Sequence, residues 1–356
     1  MAMIWLNTLV VHPITKLPSI LLITILSITM LPGCAPATID CSREDTFCVG
    51  LVTSNLGKVN DRSFNQSAWE AVQEAKKQFR AEVHYIETVN ARDYAKNIAA
   101  FGEEKYDLIV TVGGALTDAT RSAAELYPDT NFVAVDQFQE QAVEGVAGLI
   151  FPEDQAGFLA GALAAMMSDS QQIGAVCASD GIPSVWRLGE GYKAGAAYVD
   201  ELRESATVVF VIHNDSFNES FMQPEWGAET AGAMMTQGAD VIFGCGGRTG
   251  DGALVAAAQE NAYVIGVDTD QYWTLPEASS QLLSSVTKLV APGVFELIQL
   301  SYEGKFPTGN YMGHVGYAPF HDLDHEIPPD VKEQMEAIRT GLTDGSIETN
   351  VPSRKP

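Results

Sequence analysis

The chain is poor in positive charge and lacks the sequence motifs of common catalytic sites. It has 21 Lys and Arg residues against 46 Asp and Glu residues, a formal net charge of −25. A field of that sign repels nucleic acid and anionic lipid surfaces, so neither is an expected partner. The sequence contains no Gly-x-Ser-x-Gly elbow, no His-Glu-x-x-His and no Gly-x4-Gly-Lys-Ser/Thr phosphate loop. We therefore expect a binding protein that is not an enzyme and uses no cofactor.

Cysteine is scarce, and its spacing argues against a zinc site. The five cysteines include no Cys-x-x-Cys pair. The stretch His321–Glu326 is the one cluster of potential metal ligands in the sequence, and its place between two prolines indicates a solvated surface loop, so we expect no metal. Cys41 with Cys48 could close a small loop in an exported protein. Cys177 and Cys245 each end an apolar run, but buried free cysteine is common, so their pairing stays open.

The first 33 residues resemble a lipoprotein signal peptide. Lys16 precedes an uncharged apolar stretch, residues 17–31, which is short for a bilayer span but suits a signal peptide. Leu31 at −3 and Gly33 at −1 before Cys34 resemble a bacterial lipobox. We expect acylation of Cys34 and an extracytoplasmic protein that is lipid-anchored to the cell membrane, on the outer face of the cytoplasmic membrane or in the periplasm. A plain secretory signal is the alternative.

The folded part contains one pattern twice. The run Asp107–Gly114, with Asp136 beyond it, is echoed by Asp240–Gly247, with Asp268 beyond it. Each copy has an apolar strand-length run, a glycine turn, an Ala-rich stretch and a second apolar run that ends in Val-Asp. Each is predicted to be a βαβ unit, whose strand-end loops bind ligands in open α/β sheets. The fold class predicted is α/β, with two doubly wound parallel-sheet lobes joined by a hinge.

The order of predicted elements also suggests domain boundaries. Residues 34–48 are expected to form a tether. The N-terminal lobe is expected to contain 49–150 and, because two-lobed binding proteins often return to the first lobe, 269–304. The C-terminal lobe is expected to contain 151–268 and 305–356.

Three local predictions accompany these boundaries. Ser63 and Gln66 have capping-box spacing at the start of a helix. The Ala- and Gly-rich helix over 155–167 is expected to pack closely against a neighbour beside the hinge. Residues 349–351 are expected to form a final strand.

Two segments carry a family resemblance. The stretch 58–70, with Ser-Phe-Asn-Gln at 63–66, and the stretch 265–271, with Gly-Val-Asp-x-Asp-Gln, are similar to the basic membrane protein family. This family contains bacterial solute-binding lipoproteins of the purine nucleoside receptor type, and the resemblance covers roughly 49–352. It implies a type I periplasmic-binding-protein-like fold and a monomer that binds a nucleoside, with purine preferred, by hinge closure. The implied partners are the permease and ATPase subunits of an ABC importer.

The resemblance also implies a set of site residues. In that family two aromatic rings sandwich the base, an acidic side chain reads its edge, and an Asp and a Lys hold the ribose hydroxyls. The matching positions are Phe64 and Phe217 for the rings, Asp136 for the base edge, Gly246, Asp268 and Lys288 for the ribose side, and Asn55, Asp61 and Asn65 for the mouth of the cleft.

Each assignment has a simpler structural alternative. Phe64 could pack as a helix staple, Phe217 could lie in the core, the two Asp could cap helices, and Lys288 could be a solvated lysine. Two functional alternatives also stay open. The cleft could bind another small solute, such as a sugar, a vitamin or a signalling molecule. The protein could also be a sensory subunit that presents its ligand to a membrane receptor.

Overall fold

The computed structural model describes residues 40–43, 45–55, 57–217 and 219–356. The expected signal peptide and Cys34 lie outside the described residues. Within the described ranges, no helix combines the length and the apolar character that crossing a bilayer requires.

Strands and helices alternate along most of the chain. The strands are β1 (Cys48–Val52), β2 (Glu82–Ile86), β3 (Leu108–Val112), β4 (Asn131–Val135), β5 (Val146–Ile150), β6 (Gln172–Cys177), β7 (Val208–His213), β8 (Val241–Cys245), β9 (Tyr263–Asp268), β10 (Leu282–Lys288), β11 (Gly309–Met312) and β12 (Val315–Tyr317). The helices are α1 (Phe64–Phe79), α2 (Tyr94–Glu103), α3 (Thr117–Leu126), α4 (Glu153–Met167), α5 (Pro183–Arg203), α6 (Pro224–Thr236), α7 (Gly247–Gln259), α8 (Gln271–Thr274), α9 (Val290–Tyr302) and α10 (Pro329–Asp344).

The strands form two six-stranded sheets of matching order. The first sheet runs β2-β1-β3-β4-β5-β11 and the second runs β7-β6-β8-β9-β10-β12. All neighbouring strands are parallel except β10 and β12, which are antiparallel. The central strands β1, β3 and β8 are buried at every residue, which explains their continuous apolar runs. The predicted fold class of two doubly wound α/β lobes is confirmed.

The chain crosses between the lobes at three places. Helices α1, α2, α3 and α9 pack on the first sheet, whereas α4 to α8 and α10 pack on or beside the second. The crossings therefore lie between β5 and α4, between β10 and α9, and between β11 and β12. We call the two halves the first lobe and the second lobe.

The structure differs from three of the predicted boundaries. β10 lies within 269–304, which is expected in the first lobe, but its backbone pairs with β9 and extends the second sheet. β11, within 305–356, pairs instead with β5 in the first sheet. Cys41 and Cys48, within the expected tether 34–48, form a disulfide, and Cys48 is the first residue of β1, so both belong to the folded part.

One predicted element is also absent. Residues 349–351 are not a strand. The Thr349 hydroxyl donates instead to Asp154 Oδ2 (2.6 Å), so a side-chain contact with α4 holds this segment.

A disulfide and a close helix contact stabilise the second lobe. Cys177 and Cys245 are register partners at the ends of β6 and β8, and they form a disulfide. Helices α4 and α5 pack backbone to backbone: a Cβ added to Gly157 would lie 2.1 Å from the Leu188 carbonyl oxygen, and one added to Gly161 would lie 1.9 Å from that of Tyr192. The small residues of α4 therefore allow the close packing that the sequence predicts.

Candidate functional site

The Lys288 ammonium meets carboxylates from both lobes. Lys288 is the last residue of β10, and its Nζ lies 2.9 Å from Asp136 Oδ1, at the end of β4 in the first lobe. Asp268 Oδ1 is 3.7 Å away and Glu153 Oε1 is 3.8 Å away. The Lys288 side chain is only 9% exposed. Lys288 is therefore not a solvated surface lysine, and its ion pair with Asp136 joins the lobes.

The charges of this cluster depend on one another. Burial alone would lower the pKa of Lys288, but Asp136 and Asp268 outweigh it and the pKa is raised, so the amine stays charged. The pKa of Asp268 is also raised, by burial first and then by Asp136, against the lowering effect of Lys288. The Asp268 side chain is 45% exposed. A carboxylate in a cleft can be reached by a small molecule and still be poorly solvated, because protein surrounds the opening.

Asp136 and Asp268 occupy equivalent places in the two lobes. Asp136 directly follows β4 and Asp268 ends β9, each the fourth strand of its sheet. Their φ angles are +58° and +68°, in the left-handed region that few residues other than glycine adopt. Such backbone conformations concentrate at functional sites. Helix capping does not explain Asp268, because the cap of the following α8 is Asp270, which accepts from Tyr272 N (3.2 Å).

Two phenylalanine rings flank the ammonium. The Lys288 Nζ atom lies 5.7 Å from the ring centre of Phe64, the first residue of α1, and also 5.7 Å from that of Phe151. At these distances a cation interacts favourably with a ring face. Phe151, which the sequence analysis did not single out, is fully buried between β5 and α4.

Phe217 belongs to the second lobe, whereas Phe64 belongs to the first. It is in the loop after β7, its side chain is 59% exposed, and a Cβ added to Gly181 would lie 3.0 Å from its ring. Among the described residues, no ring contact joins Phe217 to Phe64. Phe217 is therefore not a core residue, and its ring presents a free apolar surface.

Two of the three polar residues predicted at the mouth, Asp61 and Asn65, form a network with Ser54 in the first lobe. Asn65 is buried; its amide nitrogen donates to Asp61 Oδ2 (2.7 Å), and its oxygen accepts from Ser54 N (3.2 Å). Asn55 is held separately, because its backbone N–H donates to the Tyr94 hydroxyl (3.1 Å), which donates back to the Asn55 side chain.

The predicted capping box at the start of α1 is wrong, because the hydrogen bonds of such a box do not form between Ser63 and Gln66. Ser63 is the N-cap residue, but its side chain makes no capping hydrogen bond. Asp61 Oδ1 accepts instead from Ser63 N (2.8 Å) and Gln66 N (3.1 Å). The Gln66 side chain reaches back to Arg62 N (2.9 Å). The carboxylate satisfies the N–H groups of Ser63 and Gln66 from one position, so the Ser63 hydroxyl is not needed for Gln66.

Gly246 lies where the loops after β6 and β8 approach each other. A Cβ at this position would lie 2.3 Å from Ala178 N. Ala178 N in turn donates to the Cys245 carbonyl (3.0 Å), one residue beyond the disulfide. Only glycine allows this approach, so Gly246 fixes the shape of this loop pair.

Sequence reasoning missed an ion pair behind Lys288. Glu153 is the first residue of α4, and its side chain is 6% exposed. It accepts a hydrogen bond from Arg187 on α5. The available signal was a carboxylate directly after the Phe151-Pro152 crossing, at a helix start beside the predicted hinge.

The stretch His321–Glu326 is more ordered than a solvated loop. His321 Nε2 lies 2.8 Å from Asp270 Oδ2, and its ring stacks on Tyr272 with 4.0 Å between centres. Among the described residues, no group of three or more His, Cys, Asp and Glu side chains is arranged to hold a metal ion.

Comparisons with known proteins agree with the two-lobed architecture. The chain is 29% identical over 355 residues to the ABC transporter nucleoside-binding protein BmpA of Lactococcus lactis, covering 93% of this chain and 97% of that protein. It is 26% identical over 295 residues to an uncharacterized lipoprotein of Pyrococcus abyssi, covering 80% and 71%. The fold is similar to that of an ABC transporter solute-binding protein from Conexibacter woesei, with a TM-score of 0.69, 20% identity, and coverage of 87% and 100%.

A family model identifies the group to which the chain belongs. The model described as Bmp, ABC transporter substrate-binding protein PnrA-like, matches residues 49–314. Its members bind substrates for ABC transporters and are not enzymes, in agreement with the absence of catalytic motifs from the sequence. The predicted resemblance is confirmed, and the chain belongs to the Bmp family of PnrA-like ABC transporter substrate-binding proteins.

Proposed function

We propose that this substrate-binding protein takes up a nucleoside, with purine preferred, between its lobes and delivers it to the permease and ATPase subunits of an ABC importer. The observation that carries the proposal is the meeting of Asp136, Asp268 and Lys288, from both lobes, beside the Phe64 ring. A nucleoside combines a flat base with a ribose diol, and this group offers a partner to each.

The aromatic rings account for the base. A purine has two apolar faces, and an aromatic contact contributes about 0.5–1.5 kcal/mol beyond area burial. Phe64 supplies one ring next to the charged group. Phe217, with its 59% exposed side chain, is the proposed second ring, which covers the base when the lobes close.

The charged group accounts for the polar edges. Asp136 uses Oδ1 for Lys288, and a carboxylate has a second oxygen that can accept from the donors of a base. Asp268 and the Lys288 ammonium can accept from and donate to vicinal hydroxyls. A base without the matching donors would leave a desolvated carboxylate unpaired, at a cost of about 1–3 kcal/mol. This cost supports selectivity for the base.

Closure follows from contacts to both lobes. A ligand that touches Asp136 and Phe64 on one side and Asp268 on the other gains its full set of contacts only when the lobes are together, so binding shifts the population to the closed form. The importer would then distinguish closed from open protein.

We also propose that the protein is lipid-anchored outside the cytoplasm. The lipobox-like sequence at Cys34 supports this, as does the description of the Pyrococcus relative as a lipoprotein.

The test is calorimetric titration of the mature chain carrying Cys34→Ser, unfolded with its disulfides intact and refolded to remove carried ligand. Inosine, adenosine, guanosine, cytidine, uridine, free bases and ribose are each titrated. We expect tight binding of purine nucleosides and its loss in Asp268→Asn and Phe64→Ala. Lys77→Met, at a 71% exposed position, is the matched control and should bind as the wild type does. Folded protein that binds no nucleoside would refute the proposal and move the search to other small solutes.

A further inference from the structure

A buried ion pair lies behind Lys288 and takes no part in the proposed ligand contacts. Glu153 faces Lys288 Nζ with Oε1 at 3.8 Å and accepts from Arg187 with Oε2. The Glu153 and Arg187 side chains are 6% and 23% exposed. Glu153 therefore bridges the binding cation and a second cation, Arg187, on α5 of the second lobe.

The charges of these five groups constrain one another. Three carboxylates, on Asp136, Asp268 and Glu153, face two cations, on Lys288 and Arg187. Burial lowers the pKa of Arg187, and its Nε is buried with no hydrogen-bond partner among the described residues, so Arg187 relies on Glu153 for compensation. Arg187 binds Oε2 of Glu153, which leaves Oε1 to face the Lys288 ammonium.

The elements that carry this pair are held rigidly together. A Cβ added to Gly191 would lie 2.1 Å from the Asp154 carbonyl oxygen, and one added to Gly195 would lie 2.0 Å from that of Phe158. With Gly157 and Gly161 on the facing helix, these glycines fix the separation of α4 and α5. The distance between Glu153 and Arg187 is therefore set by backbone contact, as a supporting group for a binding site requires.

Glu153 and Lys288 also lie at the hinge between the lobes. Glu153 follows the first crossing between the lobes, and Lys288 comes just before the second. We propose that Glu153, held by Arg187, is a positioning residue that fixes the Lys288 ammonium at the hinge, so that Asp136 and Asp268 can turn to the bound solute without losing Lys288.

The physical reason is the flexibility of lysine. Holding a Lys side chain in one geometry costs rotamer entropy, because its four-carbon stem is flexible. Its ammonium has three donors, and here three carboxylates face it. When a ligand engages Asp136 or Asp268, Glu153 still attracts the ammonium, which stays where the ligand needs it. This inference rests on the proposed function only in that Lys288 contacts the solute.

The test is a double-mutant cycle with Glu153→Gln, Lys288→Met and the double variant, measured with and without inosine. With inosine, we expect Glu153→Gln to weaken binding about tenfold when Lys288 is present and less than twofold in the Lys288→Met background, because coupling between contacting residues appears as non-additivity. Without ligand, we expect Glu153→Gln to lower the urea midpoint more in the wild type than in Lys288→Met. Equal losses in the two backgrounds would overturn the proposal.

Two further variants guard against a merely structural effect. Glu153→Asp keeps the charge and is expected to hold inosine affinity within threefold of wild type; a loss as large as that of Glu153→Gln would count against positioning by charge. Glu190→Gln, which breaks a surface pair with Lys193 on the same α5, is the matched control and should leave affinity unchanged.

The ligand-free arm separates the two proposals. If the wild type binds no nucleoside, the proposed function fails, and the coupling of the urea midpoints alone decides whether Glu153 fixes Lys288. Coupling there would support the positioning role, and additive shifts would overturn it.

Discussion

The two lobes have the same strand order but stabilise their halves of the cleft by different means. In the first lobe, the loop before α1 is held by hydrogen bonds among Ser54, Asp61 and Asn65. In the second lobe, the disulfide between Cys177 and Cys245 joins the strands whose loops face the cleft. Hydrogen bonds contribute about 0.5–1.5 kcal/mol each and reform readily, whereas a disulfide does not open in a binding cycle.

The difference indicates that the first lobe is more adjustable at the cleft than the second lobe. In the first lobe, Ser54, Asp61 and Asn65 can adjust to a ligand by exchanging hydrogen bonds. The second lobe, with its disulfide and the close α4–α5 contact, presents Asp268 and Gly246 on a fixed frame. Equivalent positions in the repeat therefore do not imply equivalent mobility.

The largest expected effect comes from removing the second-lobe disulfide. In the chain-entropy account, a bridge between residues 68 apart stabilises by about 4 kcal/mol, and one between residues 7 apart by about 2 kcal/mol. We expect the paired variant Cys177→Ala and Cys245→Ala to lose more unfolding free energy than the paired variant Cys41→Ala and Cys48→Ala. Urea unfolding of both variants measures the two losses.

Reduced wild-type protein is the control, since it should lose about the sum of the two effects. A larger loss from the Cys41–Cys48 pair would contradict the idea that the second lobe depends more on its covalent bond.

Replacing Asp136 or Asp268 by Asn is expected to change the stability of the ligand-free protein less, and in opposite directions. Asp136→Asn removes the 2.9 Å partner of Lys288 and should destabilise the ligand-free protein, by on the order of 1 kcal/mol. Asp268→Asn removes a carboxylate whose pKa is raised and should increase the melting temperature at pH 7. Asn tolerates the left-handed backbone of both positions. Both variants should weaken nucleoside binding.

The pH dependence of folding stability tests whether the pKa of Asp268 is raised. A raised pKa means that the folded state binds the proton more tightly than the unfolded state, so wild-type stability gains from this group as pH falls through the raised pKa. The advantage of Asp268→Asn should therefore be largest at neutral pH and shrink on acidification. Thermal unfolding across this range measures it, and an advantage that grows toward acid would contradict the assignment.

The repeat in the sequence predicted much of the fold, because strands in parallel sheets are short apolar runs of recognisable length. β3 lies within the predicted run Asp107–Gly114, and the equivalence of Asp136 with Asp268 followed from the matching Val-Asp endings. The lobe of β10 was predicted wrongly. A strand pattern shows that a segment is extended, but not which sheet edge it joins, and the pairing of β10 with β9 depends on contacts distant in sequence.

The supporting parts of the site were the least predictable. Glu153 and Arg187 are 34 residues apart and meet only because glycines bring α4 and α5 together. The capping bonds of Asp61 were missed for a different reason: Ser63 and Gln66 also satisfy a known spacing, and geometry alone decides between the two acceptors.

The last prediction concerns the hydrogen-bond network of Ser54, Asp61 and Asn65 in the first lobe. Asp61→Ala removes the acceptor for Ser63 N and Gln66 N and should cost about 1 kcal/mol, as loss of a helix cap typically does. Hydrogen exchange should accelerate at these two amides, while the amide of Ala178 in the second lobe keeps its wild-type rate. Asp61→Asn retains an acceptor oxygen and serves as the control. Faster exchange at Ala178 as well would mean that the lobes respond as one unit, and that the adjustable first lobe and the fixed second lobe are not separate in the way their bonding suggests.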